Sequence, residues 1–321
     1  GKTNKADMLR AIIYAGYRFN DKFLFNSEIE FEHAKEAYVE FAYVDYLVHK
    51  NLGLLGGLLL VPMGLVNEYH EPTVYLGAER PVTEQAIIPS TWRENGFGLH
   101  GSAGMVSYRA YVVNGFNGSK FSSGGLRGGR QKGAKAKADN FAFTGRLDIT
   151  PTPGVFFGGS LFTGGSGQGD IEVDGRNYGV KTTIVDAHLQ AQARGWDFRA
   201  LYAKASLGDV WALNQVLGKT GSSAVGEGMQ GGYVQLGYDV LSQSSALGGT
   251  QITPYFRLEN VDTQASMQSG HSRSLSTDNT FKTFGIEIKP ISNIVLKGDY
   301  MWVDNAAGSG TNQFNINVIS F

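Results

Sequence analysis

Apolar and polar positions alternate along most of this chain with a period of two. Phe141, Phe143, Leu147 and Ile149 alternate with Thr144, Arg146 and Asp148. Ile252, Pro254, Phe256 and Leu258 alternate with Thr253, Tyr255, Arg257 and Glu259. The same rhythm recurs around Val106–Val113, Val185–Gln192, Val234–Val240 and Phe284–Lys289. It predicts strands with one apolar and one polar face. About 15 segments carry it, near 7–19, 22–33, 36–48, 52–65, 95–103, 105–115, 139–150, 154–163, 177–194, 195–206, 229–243, 250–263, 279–289, 292–303 and 311–321. Many run to about 11 or 12 residues. A common globular strand has about 5–6, whereas a tilted strand crossing a bilayer has about 9–11.

The polar faces carry full charges: Glu28, Glu30, Glu32, Glu40, Asp148, Asp186, Asp239, Glu259, Glu287 and Asp299 against Arg109, Arg146, Arg199, Arg257, Lys289 and Lys297. A closed sheet with an apolar outside and a wet, charged inside accommodates both faces and leaves no edge. Aromatic residues sit near many segment ends, among them Tyr17, Phe19, Phe23, Tyr46, Trp196, Tyr255 and Trp302, where interfacial girdles would place them. The expected fold is all-β, a transmembrane antiparallel β-barrel of about 16 strands in a single domain, residues 1–321.

Composition narrows the picture further. The 321 residues include 44 Gly and no Cys, only 18% are charged, and the net charge is −1. Cysteine-ligated metal sites and disulfide scaffolds are excluded, and nothing drives the chain toward nucleic acid. No apolar run reaches the roughly 18–20 residues of a membrane-spanning helix. The run at 52–66 is short and broken by Gly53, Gly56, Gly57, Pro62 and Gly64.

Loop lengths orient the barrel. Short connections follow segments 1, 3, 5, 7, 9, 11 and 13. Long ones follow most even segments: 67–94, 117–138, 164–176, 207–228 and 264–278. Outer-membrane barrels turn briefly on the periplasmic side and loop out at length on the other. The odd segment count then implies either that one N-terminal strand, with a signal peptide, belongs to a longer parent chain, or that the segment count is off by one.

The order of several motifs resembles a known family. Val61-Pro62-Met63-Gly64-Leu65 closes a strand, and Glu79-Arg80-Pro81 lies in a long loop. Arg93-Glu94-Asn95-Gly96-Phe97-Gly98 opens the next strand, and Tyr108-Arg109-Ala110-Tyr111-Val112-Val113-Asn114-Gly115 follows. This resembles the phosphate-selective porin O and P type of outer-membrane porin and the related trimeric porins. The resemblance implies 16 strands, a homotrimer, the outer membrane of a Gram-negative bacterium, diffusion of small solutes, and a long loop folded into the lumen, here 67–94. Phe321 on an amphipathic strand looks like the assembly signal of such barrels. The acid-rich strand faces depart from the clustered arginines and lysines on which phosphate specificity depends, so that specificity is not expected here.

Residues 67–94 mix charge with apolar anchors, which suits a loop narrowing a pore, where charged rims select ions. The expected constriction comprises Glu79, Arg80, Glu84 and Arg93, with Arg109 and Arg146 on the facing wall. Lys120, Arg127, Arg130, Lys132, Lys135 and Lys137 make the loop at 117–138 basic. It reads as an electropositive funnel, a lipopolysaccharide contact or a solvated mobile loop. Asp170, Glu172 and Asp174 alternate like calcium-loop ligands, but no closing Glu follows at the right spacing. The six histidines, His33, His49, His70, His100, His188 and His271, show no zinc spacing. His100 with Ser102, or His188 with Asp186 on one strand face, could be imagined as hydrolase parts, but no Gly-x-Ser-x-Gly elbow accompanies them. No enzyme activity, metal or cofactor is therefore expected. The leading expectation is a porin passing small hydrophilic solutes or ions, with outer-membrane lipid and lipopolysaccharide around it. The alternative is a structural or partner-binding barrel, a sheath for an electron-transfer protein or a receptor or adhesin.

Overall fold

The structure is a computed structural model that describes residues 6–8, 10–69, 71–244 and 249–320. His70 and Phe321 lie outside the described residues, as does part of the turn at 244–249. The strands are β1 (Arg10–Arg18), β2 (Phe23–Glu32), β3 (Glu36–His49), β4 (Leu52–Leu60), β5 (Arg93–Ala103), β6 (Val106–Asn114), β7 (Phe141–Thr152), β8 (Val155–Gly165), β9 (Glu172–Val173), β10 (Arg176–Asn177), β11 (Lys181–Ala193), β12 (Trp196–Leu207), β13 (Gly228–Tyr238), β14 (Gln251–Ser266), β15 (Asp278–Ile291), β16 (Ile294–Asn305) and β17 (Gln313–Ser320). Fifteen of them form one antiparallel meander in chain order, with β1 and β17 at its two ends; β9 and β10 make a small hairpin in the loop after β8. Long and short connections alternate as the sequence predicts.

Side-chain alternation decides which face is which. Phe143, Leu147, Phe157, Val185, Val234, Phe256 and Phe284 are exposed, while Thr144, Arg146, Asp148, Asp186, Arg257 and Glu259 on the other face are buried. The exposed side thus forms an apolar belt far larger than a soluble monomer tolerates. Aromatic pairs edge it near the short turns: Phe23–Tyr46 with ring centroids 4.7 Å apart and Trp196–Tyr238 at 4.6 Å. Among the described residues no helix is long and apolar enough to cross a membrane. The strands are the spanning elements, and the fold is a β-barrel.

Two boundaries differ most from the sequence expectation. β4 stops at Leu60 because Pro62 lacks a ladder donor and Gly64 turns to φ 69°. β13 stops at Tyr238, where the Asp239 carboxylate takes the amides of Leu241 and Ile252 and starts the turn.

The interior is less watery than the alternation alone implies. The inward faces of β12 and β13 turn apolar toward the long loops, with Leu201, Ala203, Ala205, Leu207 and Met229 buried. Loop residues pack against them. Trp92 stacks on Phe116 at 4.4 Å and meets Phe162 at 4.7 Å. Phe121, Leu126, Ile171, Val180, Leu213 and Val225 continue the same core. A hydrophobic plug therefore fills one sector of the long-loop side, over β7–β13.

Candidate constriction and the loops that build it

The loop between β4 and β5, residues 61–92, folds into the barrel. Its neck is clasped by Asn67: its Nδ2 donates to the Val61 carbonyl at 2.7 Å and to the Trp92 carbonyl at 2.9 Å, and its Oδ1 accepts from the Trp92 amide at 2.8 Å. The first arm lies on the wall of β6–β11. Arg109 pairs with Glu68 at 2.9 Å, and Arg146 reaches both Asp148 (2.8 Å) and Glu68 (3.7 Å). The Gly64 carbonyl accepts from Arg146, and its amide donates to Asp186 at 3.2 Å. Gly64 is required twice over: its φ is 69°, and a Cβ would sit 2.3 Å from Glu84 Oε2.

Residues 73–83 then cross the lumen and latch onto β14–β17. Lys289 Nζ donates to the Thr73 carbonyl at 2.9 Å, and Lys297 Nζ to those of Tyr75 and Gly77. The Ala78 amide donates to Asp299 Oδ2 at 2.7 Å, and Asn317 Nδ2 donates to the Ala78 carbonyl at 2.8 Å. Arg257 donates to the Glu79 carbonyl, and the Thr83 amide donates to Glu259 at 2.6 Å. Charged wall residues thus satisfy loop backbone groups that a dry interior would otherwise strand. The latch residues lie far from the loop in sequence, and reading by spacing does not group them with it.

The helical turn α1 (Thr83–Ala86) carries Glu84 into a fully buried position. Tyr233 Oη donates to it at 2.6 Å and the Val66 amide at 2.7 Å. Burial pushes its carboxyl up to about 7 despite those two bonds. A released loop would ionise Glu84 near the ordinary value of about 4.3. Below that pH both states are protonated and nothing changes. Between about 4 and 7 the released state loses its proton first, so closure weakens as pH rises, by about 3–4 kcal/mol in all. We expect the temperature at which the folded band is lost in gel-mobility assays to fall from pH 5 to pH 8, and Glu84→Gln to flatten that slope. An unchanged slope in Glu84→Gln would refute the assignment.

The loop at 115–140 folds down on top. The Leu126 amide donates to the Ala86 carbonyl at 3.0 Å, and Thr263 Oγ1 on β14 donates to the Ser123 carbonyl at 2.6 Å. Gly125 permits the approach: φ is 119°, and a Cβ would lie 2.4 Å from the Ala86 carbonyl oxygen. Arg127 and Arg130 turn inward and both donate to the Ser90 carbonyl, at 2.8 and 2.7 Å; Arg130 also reaches Thr91. Burial first, then the neighbouring arginines, lower both guanidinium pKa values, yet both groups remain cationic near neutrality.

The remaining residues of the expected site disperse. Glu79 is exposed and Arg80 half-buried on the crossing segment. Arg93 is buried, paired with Glu40 and 4.9 Å from the Tyr38 ring centroid. Arg109 and Arg146 hold the loop's root and are separate from the crossing segment. Lys120, Lys132, Lys135 and Lys137 stay exposed, and Lys137 pairs with Asp170 at 2.5 Å. The loop at 117–138 is therefore part inner packing and part basic rim, not a freely solvated segment. Glu172 and Asp174 point outward on the hairpin while Ile171 and Val173 turn in, so the alternating acids do not converge. His188 places one ring nitrogen 2.6 Å from Asp186 and the other 2.8 Å from Asp148. Ser160 donates to Asp186 and not to His188, so the nucleophile–base bond of a hydrolase is missing from this cluster.

An acidic cluster joins β2 to the inserted loop. Glu28, Glu30 and Glu71 bring carboxylate oxygens within 4.8 Å of one another. Arg10 pairs with Glu30 at 2.6 Å and Glu32 at 3.6 Å. Below the crossing segment, toward the short turns, lie two cavities of about 860 and 350 Å³, and Tyr69 borders both.

No established family profile matches the chain. Among solved structures, OmpF of Salmonella typhi in complex with daunomycin superimposes with a TM-score of 0.63, at 12% identity, covering 100% of this chain and 92% of that one. The outer-membrane channel DcaP of Acinetobacter baumannii gives 0.56, at 11% identity, covering 98% and 86%. In-vitro folded OmpT of Vibrio cholerae, in its trimer form, gives 0.53, at 12% identity, covering 97% and 89%. At these identities the likeness shows the fold, that of outer-membrane porin barrels. In sequence, a protein of Aquifex aeolicus (strain VF5) described as an uncharacterized protein is 38% identical over 314 residues, 93% of this chain and 70% of that one. The chain therefore belongs to the family of that Aquifex aeolicus protein, built on the porin β-barrel.

Proposed function

We propose that this protein is an outer-membrane porin that lets small hydrophilic solutes diffuse passively through its lumen, in the outer membrane of a Gram-negative cell and as a homotrimer. One observation carries the reading: the loop at 61–92 lies inside the barrel, latched to the far wall by Lys289, Lys297, Arg257, Asp299 and Glu259. A loop so held narrows the path to a fixed gap. The likeness of the barrel to porins, and the trimer form of one neighbour, support the same reading. The resemblance of the motifs at 61–116 to the porin O and P type supports the same reading, without that type's phosphate specificity. A lumen already occupied by its own loops leaves little room for a second protein, which tells against the sheath.

The gap has a polarity. Arg127 and Arg130 stand on the loop side and the Glu28, Glu30 and Glu32 cluster on the strand wall. A field across the path aligns dipolar, hydrated solutes and hinders apolar ones. Planar-bilayer recording of the folded protein tests the function: stable conductance steps are expected, and their absence from well-folded protein would sink the proposal. Under a KCl gradient, Arg127→Ala/Arg130→Ala should move the reversal potential toward cation preference, with permeability ratios changing severalfold. A reversal potential equal to the parent's would remove these arginines from the path.

A further inference from the structure

We infer that the larger chamber below the crossing segment binds a neutral polyhydroxylated solute of the size of a mono- or disaccharide. This deepens the porin reading and rests on it for the solute's route. The chamber holds about 860 Å³, within the usual range of small-molecule sites. Its lining carries three cations, Arg194, Arg199 and Lys289, and three anions, Asp197, Asp239 and Glu287.

Most of these charges are already engaged. Arg199 meets Asp197 through two bonds of 2.9 Å, and Lys289 lies 3.1 Å from Glu287. Asp239 accepts two backbone amides at 3.0 Å. Arg194, exposed at the chamber's edge, is the one lining charge without a partner among the described residues, so an ionic guest finds a single counter-charge and not a cluster. What the chamber still offers is neutral hydrogen bonding. The side chains of Gln190, Gln251 and Thr253 line it and form no hydrogen bonds with the described residues. Amides and hydroxyls both donate and accept, as sugar hydroxyls require.

The apolar half of such recognition is present too. Tyr69 is 55% exposed on the underside of the inserted loop, at the junction of both cavities, and Phe156 faces the same chamber. An exposed aromatic ring inside a polar lumen is a platform for the flat, carbon-lined face of a pyranose. Tyr69 makes no hydrogen bond through its hydroxyl to the described residues, which leaves its tip for the solute as well.

Equilibrium dialysis of radiolabelled glucose and maltose against the folded, detergent-solubilised full chain tests this without relying on conduction. Saturable binding of at least one sugar is expected. Tyr69→Ala and Gln190→Leu should each weaken it about tenfold or more, Tyr69→Phe should retain most of it, and equimolar phosphate should not compete. Absence of saturable binding, equal affinity in Tyr69→Ala, or displacement by phosphate would overturn the inference. Gel mobility of each variant reports folding. Conduction without sugar binding removes the chamber alone, whereas sugar binding without conduction removes the porin reading alone.

Discussion

Replacing residues 72–82 by a short Gly-Ser linker should raise single-channel conductance severalfold. That segment is the part of the inserted loop that crosses the lumen, and its bonds to β14–β17 are all made by side chains of the wall. The strands keep their ladder without it, because each pairs with its chain neighbours along the whole meander. Lys289 and Lys297 also retain Glu287 as a partner, at 3.1 and 3.4 Å, so the vacated wall is not left with bare cations. The shortened protein should still show heat-modifiable mobility. A conductance equal to the parent's would mean that the narrowest point lies elsewhere, in the loop at 115–140.

The second large effect concerns stability. Trp92→Ala should cost about 3–5 kcal/mol. Trp92 is fully buried, stacked on Phe116 and packed at an angle against Phe162, and its backbone closes the loop's neck through Asn67 and Val61. Truncation leaves a cavity among rigid neighbours and loosens the clasp beside it. Denaturant unfolding of the detergent-solubilised protein measures the loss, and Trp92→Phe should recover much of it. Phe256→Ala, on the lipid-facing side, should cost far less, since lipid fills the space that the ring vacates. A Trp92→Ala variant within about 0.5 kcal/mol of the parent would show that the plug contributes nothing to stability.

The barrel was readable from the sequence because its cause is local. Thr144, Arg146 and Asp148 sit two apart, and the pleat alone sends them to one face while Phe143 and Leu147 go to the other. Loop lengths were equally local. The constriction was readable only as a place. The mixture of charge and apolar anchors at 67–94 points to a loop packed inside a barrel. Their partners do not follow, because Thr83 meets Glu259 across 176 positions and Ala78 meets Asn317 across 239. Glu84 looked like a pore charge, yet it is a buried acceptor for Tyr233 and the Val66 amide. Arg109 and Arg146 looked like a facing wall, yet they anchor the loop's first arm through Glu68. A faint signal for the plug did exist. Around Leu201 to Leu207 the inward positions of β12 are Leu and Ala, where a water-lined strand would carry polar groups.

That inward apolar stretch has a consequence for how such a barrel can change. The plug that fills this sector of the barrel is continuous with the core that stabilises the fold, from Trp92 through Phe116 and Leu126 to Leu213 and Met229. Under the proposed porin role, permeability and folding free energy are therefore coupled through the same side chains. A substitution that widens the route by trimming the plug gives up packing, and one that improves the packing closes the route further. Members of this lineage that admit larger solutes should carry compensating contacts elsewhere in the barrel, most readily among the wall residues that now grip the loop.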